Sequence, residues 1–380
     1  METDLFSYPT PFTPPTTEED ELSVLRLIRS RRVGPTTFHR LIGEHGSARA
    51  ALEALPEVAR AAGVSDYATC TEAQARAELK AGKRAGARLI CFGAADYPEN
   101  LSGIDDAPPV LWALGRTELL TRPMVAIVGA RNASSLGLRM ARKLAEGLGE
   151  AGICVVSGLA RGIDAAAHEA ALASGTIGVQ AGGIDVIYPP ENTDLARQMA
   201  ETGLRLSEAP PGIQPQARHF PARNRIISGL SAGVVVVEAA PKSGSLITAR
   251  DALDQGREVM AVPGHPMDGR AGGCNLLIRD GAVLVRGAED VLAALDAVRM
   301  PEKEKPASGC MPPEPLPRSA PSEPALAAKI LDRLGPSPTA EDQVIRDLGL
   351  GAAAFSRALT ALEIEGRIER HRGGMISRLA

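Results

Sequence analysis

At 380 residues the chain is long enough for two or three domains, each with a core of its own. Hydrophobic residues at 44% and charged residues at 23% exclude a disordered or fibrous protein. A formal charge of −4 excludes a bulk basic footprint for nucleic acid or anionic lipid, so any phosphate binding must be local. With six Phe, four Tyr and one Trp, a base-stacking surface has few candidates. The five cysteines (Cys70, Cys91, Cys154, Cys274, Cys310) are odd in number and form no CxxC pair, which argues against a disulfide framework or a thiolate zinc site. They read as small apolar fillers in a reducing compartment. The first residues have neither the basic nor the apolar region of a signal peptide, and no run approaches the roughly 18 apolar residues of a membrane span. A cytoplasmic protein without membrane contact is expected.

Residues 1–20, with four Pro and five Thr and no hydrophobic period, read as a disordered tail. From Glu21 to residue 86 the pattern is helical: Leu22, Leu25 and Ile28 share a face, Val33-Gly34-Pro35 interrupts, and Phe38, Leu41 and Ile42 resume. Further helices are expected over Ala48–Leu55 and Glu72–Ala85. At Ala87 the period changes. Apolar runs at Arg88–Phe92, Val110–Leu114, Val125–Val128, Ile153–Val156, Ile177–Val179, Val234–Val237, Val259–Val262 and Ala282–Val285, most of them separated by helical stretches, predict a doubly wound α/β domain over 87–298. Eight Pro between residues 301 and 324 mark 299–324 as an extended linker. Over 325–380, helices at Ala325–Leu334, Ala340–Leu348 and Ala352–Glu365, then a hairpin of Ile368–His371 and Met375–Leu379, predict a winged helix.

In open α/β sheets, ligands bind where strand ends lead into helix N-termini. The loop after Val128 reads Gly129-Ala130-Arg131-Asn132-Ala133-Ser134. Its glycine lets backbone N–H groups approach an anion, Arg131 offers a fork for phosphate, and Ser134 a hydroxyl donor. An ordinary turn with a surface arginine would look the same. The loop after Val156 contains Gly158, Arg161 and Gly162; its glycines are four apart, so it is not the GxGxxG fingerprint. There Asp164 and His168, one helical turn apart, read as a local pair rather than as catalytic groups. From Ala209 to Val237 no acidic residue occurs, yet Arg218, His219, Phe220, Arg223, Asn224 and Arg225 crowd together. Arginine forks suit phosphate and Phe220 suits a base; the absence of a local carboxylate favours this over a solvated, ion-paired loop. After Glu238, the run Lys242-Ser243-Gly244-Ser245 to Thr248 opens a helix either as an anion site or as plain capping. There is no P-loop, GxSxG elbow or HExxH, and the six His are scattered, so neither a catalytic set nor a cofactor or metal is expected.

Val-Ala-Ile-Val-Gly-Ala-Arg (125–131), Val-Ser-Gly-Leu-Ala-Arg-Gly-Ile-Asp-Ala-Ala-Ala-His (156–168), Phe-Pro-Ala-Arg-Asn-Arg-Ile-Ile-Ser-Gly-Leu (220–230), Ser-Gly-Ser-Leu-Ile-Thr-Ala (243–249), Ala-Val-Pro-Gly (261–264) and Gly-Cys-Asn-Leu-Leu-Ile-Arg-Asp-Gly-Ala (273–282) resemble, in that order, the DNA-processing protein A (DprA/Smf) family. The resemblance spans the 87–298 core. Val33-Gly34-Pro35 with Phe38 is similar to the family's helix-hairpin-helix or SAM-like unit, and the last 57 residues to its winged helix. It implies a non-catalytic cytosolic protein that binds and protects incoming single-stranded DNA in natural transformation, dimerises through the core and loads the RecA recombinase, with a single-stranded-DNA-binding protein as a further partner. It also implies a DNA pocket of Gly129, Arg131, Gly158, Arg161, Phe220, Arg223, Asn224, Arg225, Gly244, Ser245 and Thr248. Family members often carry a basic residue after the Tyr-Pro that is here Tyr188-Pro189; this chain has Pro190-Glu191, which puts a positive rim contact there in doubt.

Two other classes compete. The core is also similar to nucleoside-monophosphate phosphoribohydrolases, but their Pro-Gly-Gly-x-Gly-Thr loop and catalytic glutamate correspond here to Ser243–Thr248 with Asp251 as the next acid. A winged-helix transcription regulator is disfavoured, because residues 324–380 hold eight basic and seven acidic residues, little net attraction for duplex.

Overall fold

Four helices come first among the described residues: α1 (Glu18–Arg29), α2 (Pro35–His45), α3 (Ala48–Ala61) and α4 (Glu72–Arg84). The computed structural model describes residues 13–299, 323–334, 339–340, 367–371, 375–378 and scattered positions from 344 to 362. Helix α1 starts before Glu21 because Thr17 and Asp20 make a capping box, the Asp20 N–H donating to Thr17 Oγ1 at 3.2 Å and the Thr17 N–H to Asp20 Oδ2 at 3.1 Å. Helix α3 runs through Pro56 instead of stopping at Leu55. The proline removes one backbone hydrogen bond, while the last turn still buries Ala59 and packs Val58 against the helical core.

That core is shared with the sheet: Leu25, Leu27, Phe38, Leu41 and Leu52 cluster with Cys91 and Val110. Those two belong to β1 (Arg88–Cys91) and β2 (Val110–Gly115), which flank the short α5 (Glu99–Ser102). At the junction the indole of Trp112 lies on Gly82 of α4, where an added Cβ would come within 2.0 Å of the ring. Its Nε1 donates to Glu78 Oε1 at 3.2 Å, and Arg29 pairs with the same carboxylate at 3.0 Å.

The doubly wound core follows as β3 (Met124–Gly129), α6 (Ser135–Glu150), β4 (Cys154–Ser157), α7 (Ile163–Ala171), β5 (Thr176–Gln180), α8 (Thr193–Thr202), β6 (Leu204–Ser207), α9 (His219–Leu230), β7 (Gly233–Val237), α10 (Ser245–Asp254), β8 (Glu258–Ala261), α11 (Gly272–Arg279), β9 (Val283–Leu284) and α12 (Ala288–Arg299). The nine strands lie in the order β1-β2-β6-β5-β4-β3-β7-β8-β9. From β6 across to β9 every neighbouring pair is parallel, and the antiparallel pairs β1–β2 and β2–β6 form one edge.

Successive residues face opposite helical layers. Val125, Ile127, Val155, Val235 and Val237 pack with residues of α6, α7 and α12, whereas Ala126, Val128, Val156, Val234 and Val236 pack with residues of α9 and α10. Each such Val or Ile, fully buried, contributes about 1.5–3 kcal/mol, and this fixes the strand ends that carry the loops below. The strand that the sequence pattern does not predict is β6. Leu-Arg-Leu-Ser is short and charged at its centre, yet all four residues are buried. Arg205 is satisfied by Gln180 Oε1 at 2.7 Å and the Ile184 carbonyl at 2.6 Å.

The second unit is a winged helix. Helix α13 (Glu323–Arg333) precedes a three-stranded antiparallel sheet in which β12 (Met375–Arg378) lies between β10 (Thr339–Ala340) and β11 (Ile368–His371). Ala340, expected to open a helix, instead pairs with Met375. Ile330, Leu331, Phe355, Leu359, Leu362 and Ile376 form its core. The expected tail over residues 1–12, the proline-rich stretch over 300–322 and much of the helices expected at 340–348 and 352–365 lie outside the described residues.

Candidate nucleic-acid interface

The chain leaves β3 towards β4 on one side and returns after β6 to place β7 on the other, which makes the carboxyl ends of β3 and β7 the topological switch point. The two strands approach so closely there that a Cβ on Gly129 would lie 1.9 Å from the Val237 carbonyl oxygen. Glycine at 129 therefore serves strand packing and also opens the mouth of a cleft. This cleft, about 710 Å³, is lined by Arg131, Phe220, Asn224, Lys242, Gly244 and Thr248, among others. A smaller hollow of about 240 Å³ adjoins it, between Arg131, Phe220 and Tyr188, with Arg161 and Glu191 at its side.

Arg131 lies over the Phe220 ring, 5.3 Å from its centroid, and the Tyr188 ring meets Phe220 with centroids 5.7 Å apart at 52°. Half of Tyr188 is exposed. Among the described residues neither Arg131 nor Lys242 forms an ion pair, whereas Arg161 is 3.7 Å from Glu191 and Arg270, also on the cleft wall, is 3.2 Å from Asp268. Gly244 caps α10 with no atom within 4 Å of where a Cβ would stand, so this rim is open. Ser245 and Thr248 are buried in the floor, and Ser245 Oγ lies 2.7 Å from Ser243 Oγ.

Several expected ligands also brace the scaffold, and Arg223 does so while lining both hollows. Arg223 is buried, and its Nη1 donates to the carbonyls of Gly158 (2.5 Å) and Val179, so it ties the ends of β4 and β5 to α9. Burial pushes its guanidinium pKa down to about 10, partly countered by the nearby Asp164. Gly158 is glycine because a Cβ would press on that guanidinium at 2.5 Å. Gly162, at φ +79°, would carry its Cβ 2.3 Å from the Ala130 carbonyl, so it holds the first loop against the second. Asn224 accepts from Arg223 Nε at 3.2 Å while still facing the cleft.

Three further expected ligands lie outside the cleft lining. Arg225 does not reach the cleft: it pairs with Glu208 at 2.7 Å and Asp106 at 3.2 Å, carboxylates distant in sequence that the local count of acids could not show. Ser134 faces Glu238, not solvent. Arg218 is exposed and leans on His219 at 3.4 Å, outside the cleft lining. Asp164 and His168 are not a pair. Asp164 accepts the Gly158 and Ala160 N–H groups at 3.1 and 3.4 Å, and burial raises its pKa. His168 Nδ1 instead lies 2.6 Å from Thr176 Oγ1.

Sequence reasoning missed Tyr188 as a stacking partner and Arg270 as a wall. The aromatic character of Tyr188 was a usable signal; Arg270 sits in an irregular loop whose position follows only from the tertiary fold. Asp251, the acid on which a hydrolase reading would depend, does not line the cleft. Burial, with the like charges of Asp106 and Asp254 adding to it, raises its pKa to about 6.

Three family models match the chain: DprA-like N-terminal HHH domain over residues 18–81, DNA recombination-mediator protein A over 88–296, and DprA winged helix domain over 314–374. DNA processing protein DprA of Streptococcus pneumoniae is 50% identical over 202 residues, 53% of this chain and 71% of that protein. Protein Smf of a Synechocystis species is 38% identical over 305 residues, 73% of this chain and 77% of that protein. Among solved structures, Streptococcus pneumoniae DprA superposes with a TM-score of 0.56 at 38% identity, covering 73% of this chain and 93% of that one. Helicobacter pylori DNA processing protein A, whose structure describes a single-stranded DNA binding mode, gives 0.52 at 30% identity over 56% of this chain and 98% of that one.

Proposed function

The chain belongs to the DNA recombination-mediator protein A family of DNA-processing proteins, and from that premise we propose that it binds and protects single-stranded DNA in the switch-point cleft and loads the RecA recombinase onto it. The observation that carries the reading is the juxtaposition, across the cleft and the hollow that adjoins it, of the cations Arg131 and Lys242, which form no ion pair among the described residues, with the partly buried ring of Phe220 and the half-exposed ring of Tyr188. Cations suit strand phosphates, and rings suit unstacked bases. The site we propose consists of Arg131, Lys242, Phe220, Asn224, Gly244 and Thr248, with Ser245, Gly129 and Arg161 at its margins. Arg223 lines both hollows and Gly158 the smaller one while they brace the strand ends, and Gly162 shapes the site from behind.

The protein acts by binding, not by turnover: among the described residues no hydrogen bond joins a hydroxyl of the cleft lining to a base, and Asp251, the acid that follows the Ser243–Thr248 run, does not line the cleft. Incubation with nucleotides and DNA, with and without magnesium, is expected to leave both unchanged. The labour divides along the chain into a helical unit that α1 opens at Glu18, earlier than the expected boundary at 21, and that runs to residue 86, the DNA-binding core (87–298), a linker that ends before α13 at Glu323, and the winged helix beyond it. The core forms a homodimer in the cytosol, and its partners are RecA and single-stranded-DNA-binding protein. The exposed side chains of Leu276 on α11 and Leu284 on the edge strand β9 favour such association; among the described residues no helix is long and apolar enough to cross a membrane.

Titration of single-stranded and duplex oligonucleotides at several salt concentrations tests the cleft. Tighter binding of the single strand is expected, and equal affinity at matched salt would refute it. RecA filament assembly on strands precoated with single-stranded-DNA-binding protein tests loading, with faster assembly expected in the presence of this protein.

A further inference from the structure

In an α/β core, the N-terminus of the helix following the first parallel strand is the place where a nucleotide phosphate ordinarily docks, because free N–H groups and the helix dipole converge there. Here that helix is α6, 16 residues long, with Ser134 at its N-cap and no acidic residue of its own in the first turn. The place is already taken. Glu238, the first residue after β7, puts its carboxylate on it. The Ser134 N–H donates to Glu238 Oε2 at 2.8 Å, and the Ser134 hydroxyl donates to Oε1. The same hydroxyl accepts the Gly137 N–H at 3.0 Å, which passes the helix N-terminus on to the carboxylate.

Two further observations show that the backbone is shaped for this contact. Glu238 is held at φ +54°, a left-handed conformation that a residue with a long side chain adopts only when its surroundings impose it. Gly137 leaves the space the carboxylate fills, since a Cβ there would sit 2.5 Å from the Glu238 carboxyl carbon. We propose that Glu238 is a resident anion, substituting for phosphate at the α6 N-terminus and so excluding nucleotide phosphates from the switch point, while strand phosphates are left to the cations of the neighbouring cleft. The proposal concerns the α6 terminus and stands whether or not the cleft binds single strands.

Removing the side chain should uncover the hidden phosphate site. Glu238→Gly removes the carboxylate and relieves the left-handed strain, since glycine accepts that φ. Thermal midpoints of wild type and variant are measured in inorganic phosphate against sodium chloride of equal ionic strength, with adenosine monophosphate as a second probe. The variant's midpoint is expected to rise by roughly 3 °C at a tenfold excess of phosphate over its dissociation constant, with the wild type moving less than a third as far. Glu238→Asp, measured the same way, should also gain a response, because a carboxylate one methylene shorter falls short of the Ser134 donors; it decides the matter if the glycine variant does not fold. A wild type that phosphate stabilises as much as the variants, or folded variants that phosphate leaves unmoved, would overturn the assignment. Loss of single-strand binding by wild type would instead bear on the cleft alone.

Discussion

The guanidinium of Arg131 rests 5.3 Å above the ring of Phe220, and this contact joins the loop after β3 to the first turn of α9. A cation over a ring face is held by the quadrupole while its N–H groups stay free at the edge. Phosphate clamp and stacking platform are therefore one surface, and Tyr188 extends it beside the ring.

Removing either member should have a different signature. Arg131→Ala should weaken single-strand binding whatever the base sequence, and lower the log–log salt slope by roughly 0.7 for each strand phosphate the arginine neutralises in the parent. Phe220→Ala should cost about 1–3 kcal/mol with the slope nearly unchanged. Because each residue positions the other, the double variant should lose less than the sum. Fluorescence anisotropy with a labelled oligonucleotide, with thermal midpoints alongside, separates the cases; a folded Arg131→Ala that binds like the parent would misplace the pocket.

Gly244 offers a cleaner probe, since a side chain there meets nothing within 4 Å. Gly244→Asp should fold as the parent does, yet bring a negative charge to the cleft rim and weaken single-strand binding roughly tenfold at low salt. Gly244→Asn, of the same size, should bind nearly as the parent.

Arg225 should act on stability and not on DNA. Its guanidinium lies between Glu208 and Asp106 with its side chain only 11% exposed, so Arg225→Ala leaves two carboxylates uncompensated and should cost about 2–3 kcal/mol, reduced from a fully buried pair by the exposure of Asp106. Single-strand affinity at a temperature where the variant is folded should stay within about twofold of the parent. A large loss of affinity by the folded variant would return Arg225 to the binding surface.

Acid should destabilise the core through His168. Burial, with Arg223 adding to it, pushes this imidazole down to about 3. Above the ordinary histidine value both folded and unfolded forms are neutral. As pH falls below about 6.5 the unfolded chain takes up a proton that the folded chain refuses, a loss of about 2 kcal/mol by pH 5. Asp251 works in the opposite sense: its pKa is raised to about 6, so the folded form gains a proton before the unfolded one and is stabilised as pH drops from 6 towards 4. His168→Gln should flatten the acid limb of a midpoint-versus-pH curve. Asp251→Asn should raise the midpoint at pH 7.5 and leave it unchanged near pH 4.

The legible parts of the fold were those governed by local pattern. Continuous β-branched runs such as Val234–Val237 and the loop chemistry at Arg131 follow from a few adjacent residues. What stayed hidden depended on distant partners. Strand β6 is charged in sequence yet buried, because Gln180 and the Ile184 carbonyl satisfy Arg205. A similar cause separates Arg223 from Arg225, two residues apart in an arginine-rich run: one binds backbone carbonyls at the wall of the cleft and the other a pair of acids away from it. The glycines carried a double meaning that no local rule resolves. Gly158 makes room for a guanidinium and Gly137 for a carboxylate, whereas Gly244 keeps open space.

Trp112, the one tryptophan in the chain, sits where α4 presses on the sheet, with its ring on Gly82 and its N–H on Glu78. Its ultraviolet emission is thus an optical gauge of how firmly the N-terminal helices grip the β-sheet edge, and it is blind to the cleft. Emission should stay constant while DNA saturates the protein, then redden early in a urea ramp if those helices peel away ahead of the sheet. Circular dichroism followed in the same ramp would show whether the two losses coincide.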